Sequence, residues 1–138
     1  MCQLNEQGVF RIIDANFNRA KEGLRVCEDI CRFVLDDKVA TKNLKSYRHE
    51  LTDIIICLSL GDIIQSRNVV KDVGKKSQIG EFKRTRMADI FYANAQRVKE
   101  SIRVLEELMK LFNRKAAEQL KKIRYKIYAI EQRITKKF

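Results

Sequence analysis

The 138-residue sequence contains no proline and only five glycines. A β-rich fold of this length needs more of both residues at its turns, so their scarcity favours an all-helical protein. The longest apolar stretch, around residues 54–58, is far too short to cross a bilayer. The N-terminus also lacks the basic and then apolar segments of a secretory signal. We therefore expect a cytoplasmic protein with no membrane anchor.

Metal-binding and redox motifs are scarce as well. The chain has one histidine, and its four cysteines contain no Cys-x-x-Cys pair. Cys27 and Cys31 are one helical turn apart, whereas Cys2 and Cys57 stand alone. This spacing does not fit a zinc site and favours small buried thiols in a reducing compartment.

Acidic residues are under-represented in the second half of the chain. Residues 1–70 carry ten basic and ten acidic side chains, whereas residues 71–138 carry nineteen and eight. The whole net charge of +11 therefore comes from the second half. Such a surface attracts anions, which leaves nucleic acids, phosphorylated metabolites and acidic proteins as candidate partners.

Four long amphipathic segments account for most of the apolar residues. Their apolar positions alternate by three and four residues, which is typical of packed helices. We predict helices that cover residues 10–35, 40–58, 87–112 and 116–134. The predicted core positions are Ile13, Phe17, Ala20, Leu24, Cys27, Cys31 and Val34, then Ala40, Leu44, Tyr47, Leu51, Ile54 and Leu58, then Phe91, Ala95, Val98, Ile102, Leu105, Met109 and Phe112, and finally Ala116, Leu120, Ile123, Ile127, Ile130 and Ile134.

Residues that end or cap helices lie between these segments. Asp36 and Asp37 suit the N-terminus of the second helix, Gly61 suits its C-terminus, and Asn113 can close the third helix. Residues 61–86 predict one turn of helix followed by a long connection. Long connections in compact domains are often functional.

The two halves of the chain match each other. Adding 78 to each core position of the first helix gives the core positions of the third, and adding 76 relates the second helix to the fourth. We infer an all-α, four-helix bundle formed by a duplicated antiparallel helical hairpin in a single domain, residues 1–138. Repeat one covers about 10–60, the connection 61–86 and repeat two 87–138. The matched polar pairs include Asn16 with Asn94, Arg19 with Arg97, Glu22 with Glu100, Arg25 with Arg103, Glu28 with Glu106, and Arg48 with Arg124.

Each repeat contains the series Asn-x-x-Arg-x-x-Glu-x-x-Arg-x-x-Glu, which starts at Asn16 in the first copy. One interpretation is a solvated ladder of ion pairs, such as Arg19 with Glu22. Exposed pairs contribute only about 0.5 kcal/mol each, so stability is a weak reason to repeat this order. The other interpretation is a duplicated binding flank.

Gly23 lies on the same flank of the first helix. Inside a helix, glycine lowers stability by about 1 kcal/mol relative to alanine. A small residue there leaves room for a ligand or for a second helix, and both interpretations stay open. Arg48 and Arg124 flank their apolar seams and are expected to point into the same cleft as Arg19 or Arg97. Convergent guanidinium groups suit phosphate oxygens.

The connection contains Gly74-Lys75-Lys76-Ser77, which is similar to the end of a Walker loop. It lacks the first glycine and a preceding strand, so we reject a P-loop. His49 is more typical of an exposed helical residue than of a catalytic base.

A longer pattern resembles a known family. Residues 14–29 read Asp-Ala-Asn-Phe-Asn-Arg-Ala-Lys-Glu-Gly-Leu-Arg-Val-Cys-Glu-Asp, and they resemble the small helical hydroxymethylpyrimidine-phosphate kinases of thiamine biosynthesis. The resemblance covers nearly the whole chain. It continues through Arg32-Phe33, Arg48-His49-Glu50-Leu51, Arg67, Asp72-Val73-Gly74, Glu81 to Arg84, Ala93 to Glu107, Arg124-Tyr125 and Tyr128.

The resemblance implies transfer of the γ-phosphoryl group of ATP to the phosphate of hydroxymethylpyrimidine phosphate. Such domains occur alone or fused ahead of thiamine-phosphate synthase. We expect Mg²⁺ with ATP as the cofactor and a homodimer as the assembly. The expected catalytic residues are Arg19, Arg97, Glu22 and Glu100. The expected substrate-binding residues are Asn16, Asn94, Arg48, His49, Arg67, Arg124, Asp72 and Gly74. The expected Mg²⁺ ligands are Glu22, Glu100 and Asp72.

Two alternatives belong to other classes. One is a noncatalytic helical module that partners thiamine-phosphate synthase. The other is a basic nucleic-acid-binding bundle, which we favour least because the basic residues are spread over several faces and match no recognised binding motif.

Overall fold

A computed structural model describes residues 5–58, 60–77 and 83–138. All regular elements in these ranges are α-helices, which confirms the predicted fold class. Cys2 and Glu81, which the sequence analysis singled out, lie outside them. No helix of the described ranges is long and apolar enough to span a bilayer. The helices are α1 (Glu6–Phe33), α2 (Lys38–Ile55), α3 (Leu60–Gln65), α4 (Met87–Met109) and α5 (Arg114–Thr135).

The central packing is between α1 and α4, which make the most extensive helix contact. The helices run antiparallel, because the rings of Phe10 and Phe112 stack at 6.2 Å while Cys27 Sγ lies 3.8 Å from the Phe91 carbonyl oxygen. Each central helix packs against the second helix of its own hairpin, and α2 closes the bundle against α5. The short α3 packs on α1. The repeat therefore generates a pseudo-two-fold axis that crosses the α1–α4 pair near Ala20 and Val98.

The buried apolar residues form one cluster to which all five helices contribute. Most predicted core positions are buried or packed against this cluster. Val34 and Phe112 are exceptions, with 49% and 41% exposure, because α1 ends at Phe33 and α4 at Met109. The apolar pattern thus runs one to three residues beyond the ends of α1, α2 and α4.

The second helix ends earlier than predicted. Its last helical residue is Ile55, so Gly61 is not its C-cap and lies in α3 instead. Cys57 is exposed, in contrast to the expected burial of the cysteines. Cys27 and Cys31 are buried as predicted, and burial raises the pKa of their thiols to about 12 and about 11. Both thiols therefore stay protonated at neutral pH.

The turns between the helices of each hairpin carry equivalent caps. Asp37 accepts a hydrogen bond from Ala40 N–H at 2.9 Å, and its repeat counterpart Asn113 accepts one from Ala116 N–H at 3.1 Å. The buried Asp37 carboxylate also contacts Arg133 and Lys137, both at 2.6 Å. Burial by itself would raise the pKa of Asp37, but these hydrogen bonds together hold it well below its usual range.

The depressed pKa of Asp37 predicts an acid-sensitive contribution to stability. Because the folded state holds the proton less tightly than the unfolded state, this contribution is present above about pH 4 and is lost as the pH falls toward the folded-state pKa. We expect Asp37→Asn to lower stability at pH 7 and to flatten the loss of stability below pH 4. Urea denaturation between pH 2 and 7 measures both. The exposed neighbour Asp36→Asn is the control, and equal pH profiles for the two variants would contradict the assignment.

Gly23 of α1 packs tightly against α4. A Cβ atom at this position would lie 2.6 Å from Val98 Cγ2 and 3.1 Å from the Asn94 carbonyl oxygen. The backbone oxygen cannot move away as a flexible side chain can. Of the two interpretations of Gly23, the structure therefore supports close helix packing.

We expect Gly23→Ala to destabilise the fold by about 1–3 kcal/mol, because overpacking outweighs the gain in helix propensity. Gly61→Ala is the matched control, since a Cβ atom there meets nothing within 4 Å. That control should be neutral or stabilising by up to about 1 kcal/mol. Chemical denaturation of both variants measures the difference, and a stabilised Gly23→Ala protein would show that the contact is not tight.

Candidate functional site

Two adjoining clefts lie along α1, the large one between α1 and the segment after α3, and the small one between α1 and α4. The large cleft has a volume of about 780 Å³ and the small cleft about 380 Å³. Asn16 and Arg19 line both, so the clefts meet at these two side chains. The charged and polar residues of the large cleft include Arg11, Asp14, Asn16, Asn18, Arg19, Glu22, Arg67, Asn68 and Asp72. The small cleft is lined by Asn16, Arg19, Arg97, Glu100, Ser101 and Val104.

The two repeats hold their asparagines in the same way. Asn16 Nδ2 donates to the Ile12 carbonyl oxygen at 2.9 Å, and Asn94 Nδ2 donates to the Ile90 carbonyl oxygen at 2.8 Å. This bond fixes each amide and leaves its oxygen free to accept. Asn16 presents that oxygen where the clefts meet, 3.5 Å from an Arg19 Nη1 donor. Asn94 lines neither cleft, because its backbone packs under Gly23.

Arg19 and Arg97 are the basic side chains of the small cleft, one from each repeat. They lie close to the pseudo-two-fold axis, so the duplication itself brings them together. In the described ranges neither guanidinium has a carboxylate within 4.0 Å. The ladder pairing of Arg19 with Glu22 is therefore not formed, and both side chains are available to an anion.

Three carboxylates of the clefts, those of Glu22, Asp72 and Glu100, are exposed. Glu22 and Asp72 line the large cleft, and Glu100 lines the small one, where it accepts a hydrogen bond from Gln96 Nε2 at 2.9 Å. Asp72 Oδ1 accepts from Gly74 N–H at 2.9 Å, and Gly74 itself lines neither cleft. No three histidine, cysteine or acidic side chains of the described residues gather as a ready metal cage. One or two carboxylates do suit Mg²⁺ when phosphate oxygens and water supply the other ligands.

An ion pair between a buried aspartate and a partly exposed arginine supports the large cleft. Asp14 is 7% exposed, and its two oxygens accept from Arg67 Nε at 2.6 Å and Nη2 at 2.7 Å. Hydrogen bonding to Asp14 raises the pKa of Arg67 above its ordinary value. Asn18 Nδ2 donates to the same carboxylate at 3.1 Å. Arg67 is thereby tied from the end of α3 to the first half of α1.

The comparisons with known proteins identify the family of the chain. The model of the ThiD2 family matches residues 11–133. The chain belongs to the ThiD2 family. The match includes every segment on which the motif resemblance rests.

Curated relatives of this ThiD2 chain are longer proteins. It is 36% identical over 132 residues to a thiamine-phosphate synthase of Synechocystis sp., which covers 95% of this chain and 37% of the relative. It is 36% identical over 130 residues to a thiamine-phosphate synthase of Rhodopirellula baltica, covering 94% and 35%. The chain thus spans about a third of the length of these relatives. No solved structure matches the chain.

Five of the expected substrate-binding residues of the ThiD2 chain lie outside the clefts, namely Asn94 and Gly74, described above, and Arg48, Arg124 and His49. Arg48 Nε donates to Glu28 at 3.2 Å, and Arg124 Nε donates to Glu106 at 2.9 Å. These are repeat-equivalent pairs, each joining the two helices of one hairpin. Contrary to expectation, Arg48 and Arg124 do not point into the clefts. The exposed His49 lines neither cleft.

Sequence reasoning missed the carboxylates that hold these arginines. Glu28 and Glu106 are 2% and 3% exposed, although their spacing suggested a solvated ladder. On α1, Glu28 lies 12 residues beyond Asn16, which is about 18 Å along the helix axis. Asp14 was missed as well, because repeat two has Tyr92 at the equivalent position and the repeat gives no signal there. Its place at the start of the long motif was the available signal.

The paired arginines are expected to be structural. Arg48→Ala and Arg124→Ala each remove the less exposed arginine partner of a buried carboxylate, which we expect to cost up to about 3–5 kcal/mol. Arg25→Ala is the control, because Arg25 approaches the same Glu28 at 3.6 Å with a side chain that is 54% exposed. Exposed pairs contribute at most about 1 kcal/mol. Urea denaturation of the three variants tests the assignment, and equal losses would contradict it.

Proposed function

We propose that this ThiD2 chain is a thiamine biosynthesis kinase, which transfers a phosphoryl group from ATP to 4-amino-5-hydroxymethyl-2-methylpyrimidine phosphate and yields the diphosphate. The observation that carries this proposal is the meeting of the two clefts at Asn16 and Arg19. A phosphoryl transfer between two phosphorylated molecules requires two adjoining anion sites. The shared arginine would contact both the transferred and the accepting phosphate.

The side chains of the clefts suit this chemistry. The acceptor is a phosphate that is already ionised at neutral pH, so the reaction needs no strong base. Catalysis then depends on positioning and on neutralising the charge of the equatorial oxygens. Arg19 and Arg97 provide donors with no carboxylate partner in the described ranges, and a bound anion would relieve the repulsion between these two like charges.

Glu22 and Asp72 would hold Mg²⁺ together with the nucleotide phosphates in the large cleft, and Glu100 would do so from the small cleft. When bound, the ion supplies positive charge to the phosphate oxygens of ATP. Asn16 would orient the ligands through its amide oxygen, which also accepts from Arg19 Nη1 at 3.5 Å, and Arg67 would bind phosphate at the opposite wall of the large cleft.

Family membership supports a role in thiamine biosynthesis, since the relatives are named thiamine-phosphate synthases. The same comparison favours a second candidate. Because the match covers only about a third of those relatives, the segment could be a noncatalytic module that partners a synthase. Either role is compatible with the homodimer that we propose, in which the exposed Glu22 and Glu100 would lie near the partner.

The two candidates differ in turnover. We expect the purified chain, incubated with Mg-ATP and hydroxymethylpyrimidine phosphate, to form the diphosphate and ADP. Mass spectrometry and a coupled ADP assay measure both products. A folded chain that forms neither product would overturn the kinase proposal and leave the partner module. Steep salt-dependent binding to random DNA or RNA would instead support the nucleic-acid alternative.

Within the kinase proposal, Arg19→Ala and Arg97→Ala should each lower kcat by about 100-fold or more, the usual cost of removing one charge-stabilising donor. Their thermal stability should stay close to that of the parent, because neither arginine has a carboxylate partner in the described ranges. Arg25→Ala is the matched control on α1 and should keep its turnover. A fall in melting temperature that parallels the loss of turnover would indicate a structural role for these arginines.

A further inference from the structure

The two clefts share residues of α1 but differ in volume and in the element that forms their second wall. The large cleft has twice the volume of the small one. It gains its second wall from the segment after α3, which occurs once in the chain and brings Arg67, Asn68 and Asp72. Repeat two has Tyr92 where repeat one has Asp14, and Gln96 where repeat one has Asn18. Repeat two therefore has no counterpart of the Asp14–Arg67 pair.

The geometry of that pair leaves Arg67 able to bind a ligand. Asp14 takes one edge of the guanidinium, namely the Nε proton and one Nη2 proton. Both Nη1 protons and the second Nη2 proton remain for another acceptor. The Arg67 side chain is 42% exposed, whereas that of Asp14 is 10% exposed. Asp14 is therefore placed to orient Arg67 and not to contact a ligand itself.

The charges of the clefts also differ. The large cleft combines Arg11, Arg19 and Arg67 with the carboxylates Glu22 and Asp72. Three arginines and two available carboxylates suit a polyphosphate that carries a divalent cation. The small cleft offers Arg19 and Arg97 with Glu100, in a volume of about 380 Å³. These residues suit a small ring compound that carries one phosphate group.

We propose that the large cleft is the nucleoside triphosphate subsite, with Asp14 as the positioning residue that orients Arg67, and that the small cleft takes the monophosphate acceptor. This assignment rests on the proposed function. It places the terminal phosphate of the nucleotide at Arg19, beside the acceptor phosphate held by Arg97. Repeat one then provides donor binding, and repeat two provides acceptor binding.

The test measures the binding of each ligand separately, so it does not depend on turnover. Calorimetry uses the full chain with a Mg-bound, non-hydrolysable ATP analogue in one series and hydroxymethylpyrimidine phosphate in the other. We expect Asp14→Asn and Arg67→Lys to raise the Kd of the analogue at least tenfold. The Kd of the monophosphate should change by less than twofold. Arg97→Ala should raise the Kd of the monophosphate at least tenfold and change the Kd of the analogue by less than twofold. Arg11→Ala removes an exposed side chain of the large cleft and should also weaken only the analogue.

Asp37→Asn is the matched control for Asp14→Asn. Asp37 is also a buried aspartate that is paired with an arginine, Arg133, at 2.6 Å, but it lines neither cleft. It should leave both Kd values unchanged despite its effect on stability. In steady-state kinetics, Asp14→Asn should raise KM for ATP more than it lowers kcat, while KM for the acceptor stays constant.

Three outcomes separate the hypotheses. If Arg97→Ala weakens the analogue as much as Arg67→Lys does, the subsite assignment is wrong even when the parent is an active kinase. If Arg67→Lys and Arg11→Ala weaken the analogue while Asp14→Asn does not, Asp14 has no positioning role. If the parent binds both ligands with the expected variant pattern but forms no diphosphate, the kinase proposal fails and the assignment of the clefts stands.

Discussion

The close antiparallel contact of α1 with α4 at Gly23 is the constraint on which the rest of the structure depends. Glycine lets Val98 Cγ2 approach to a distance that a Cβ atom would prevent, and it leaves room for the Asn94 carbonyl oxygen, which a Cβ atom would crowd. Because the two helices are repeat equivalents, their contact generates the pseudo-two-fold axis. The axis brings Arg19 and Arg97 to one small cleft, although these residues are 78 positions apart. If α1 and α4 were farther apart, Arg19 and Arg97 would not line the same cleft.

Burial of the neighbouring carboxylates decides what each duplicated arginine does. Glu28 and Glu106 are almost fully buried, so they require a cationic partner, and Arg48 and Arg124 supply it across each hairpin. Glu22 and Glu100 are exposed and solvated, so they place no such demand on Arg19 and Arg97. The duplication thus produced one set of arginines that joins the two helices within each hairpin and another that remains available at the clefts.

The asymmetry of the site comes from the part of the chain that was not duplicated. The segment after α3 lies beside α1, where the Asp14–Arg67 pair holds it at 2.6–2.7 Å. A symmetric frame with a single added wall yields two unequal clefts. This arrangement fits a protein that must distinguish two phosphorylated ligands, which is the requirement of the kinase that we propose.

The sequence by itself determined the helices, most of the core and the duplicated flank, because burial repeats with the helical period and the two copies can be compared directly. It also pointed to Arg19, Arg97, Glu22, Glu100, Asn16, Arg67 and Asp72, all of which line the clefts. Only the tertiary structure decided that Arg48 and Arg124 are held by Glu28 and Glu106, and that Asp14 holds Arg67 from 53 residues away. The physical reason is that an ion pair depends on the distance and burial of two side chains in space, and helical periodicity carries no information about a partner on another element.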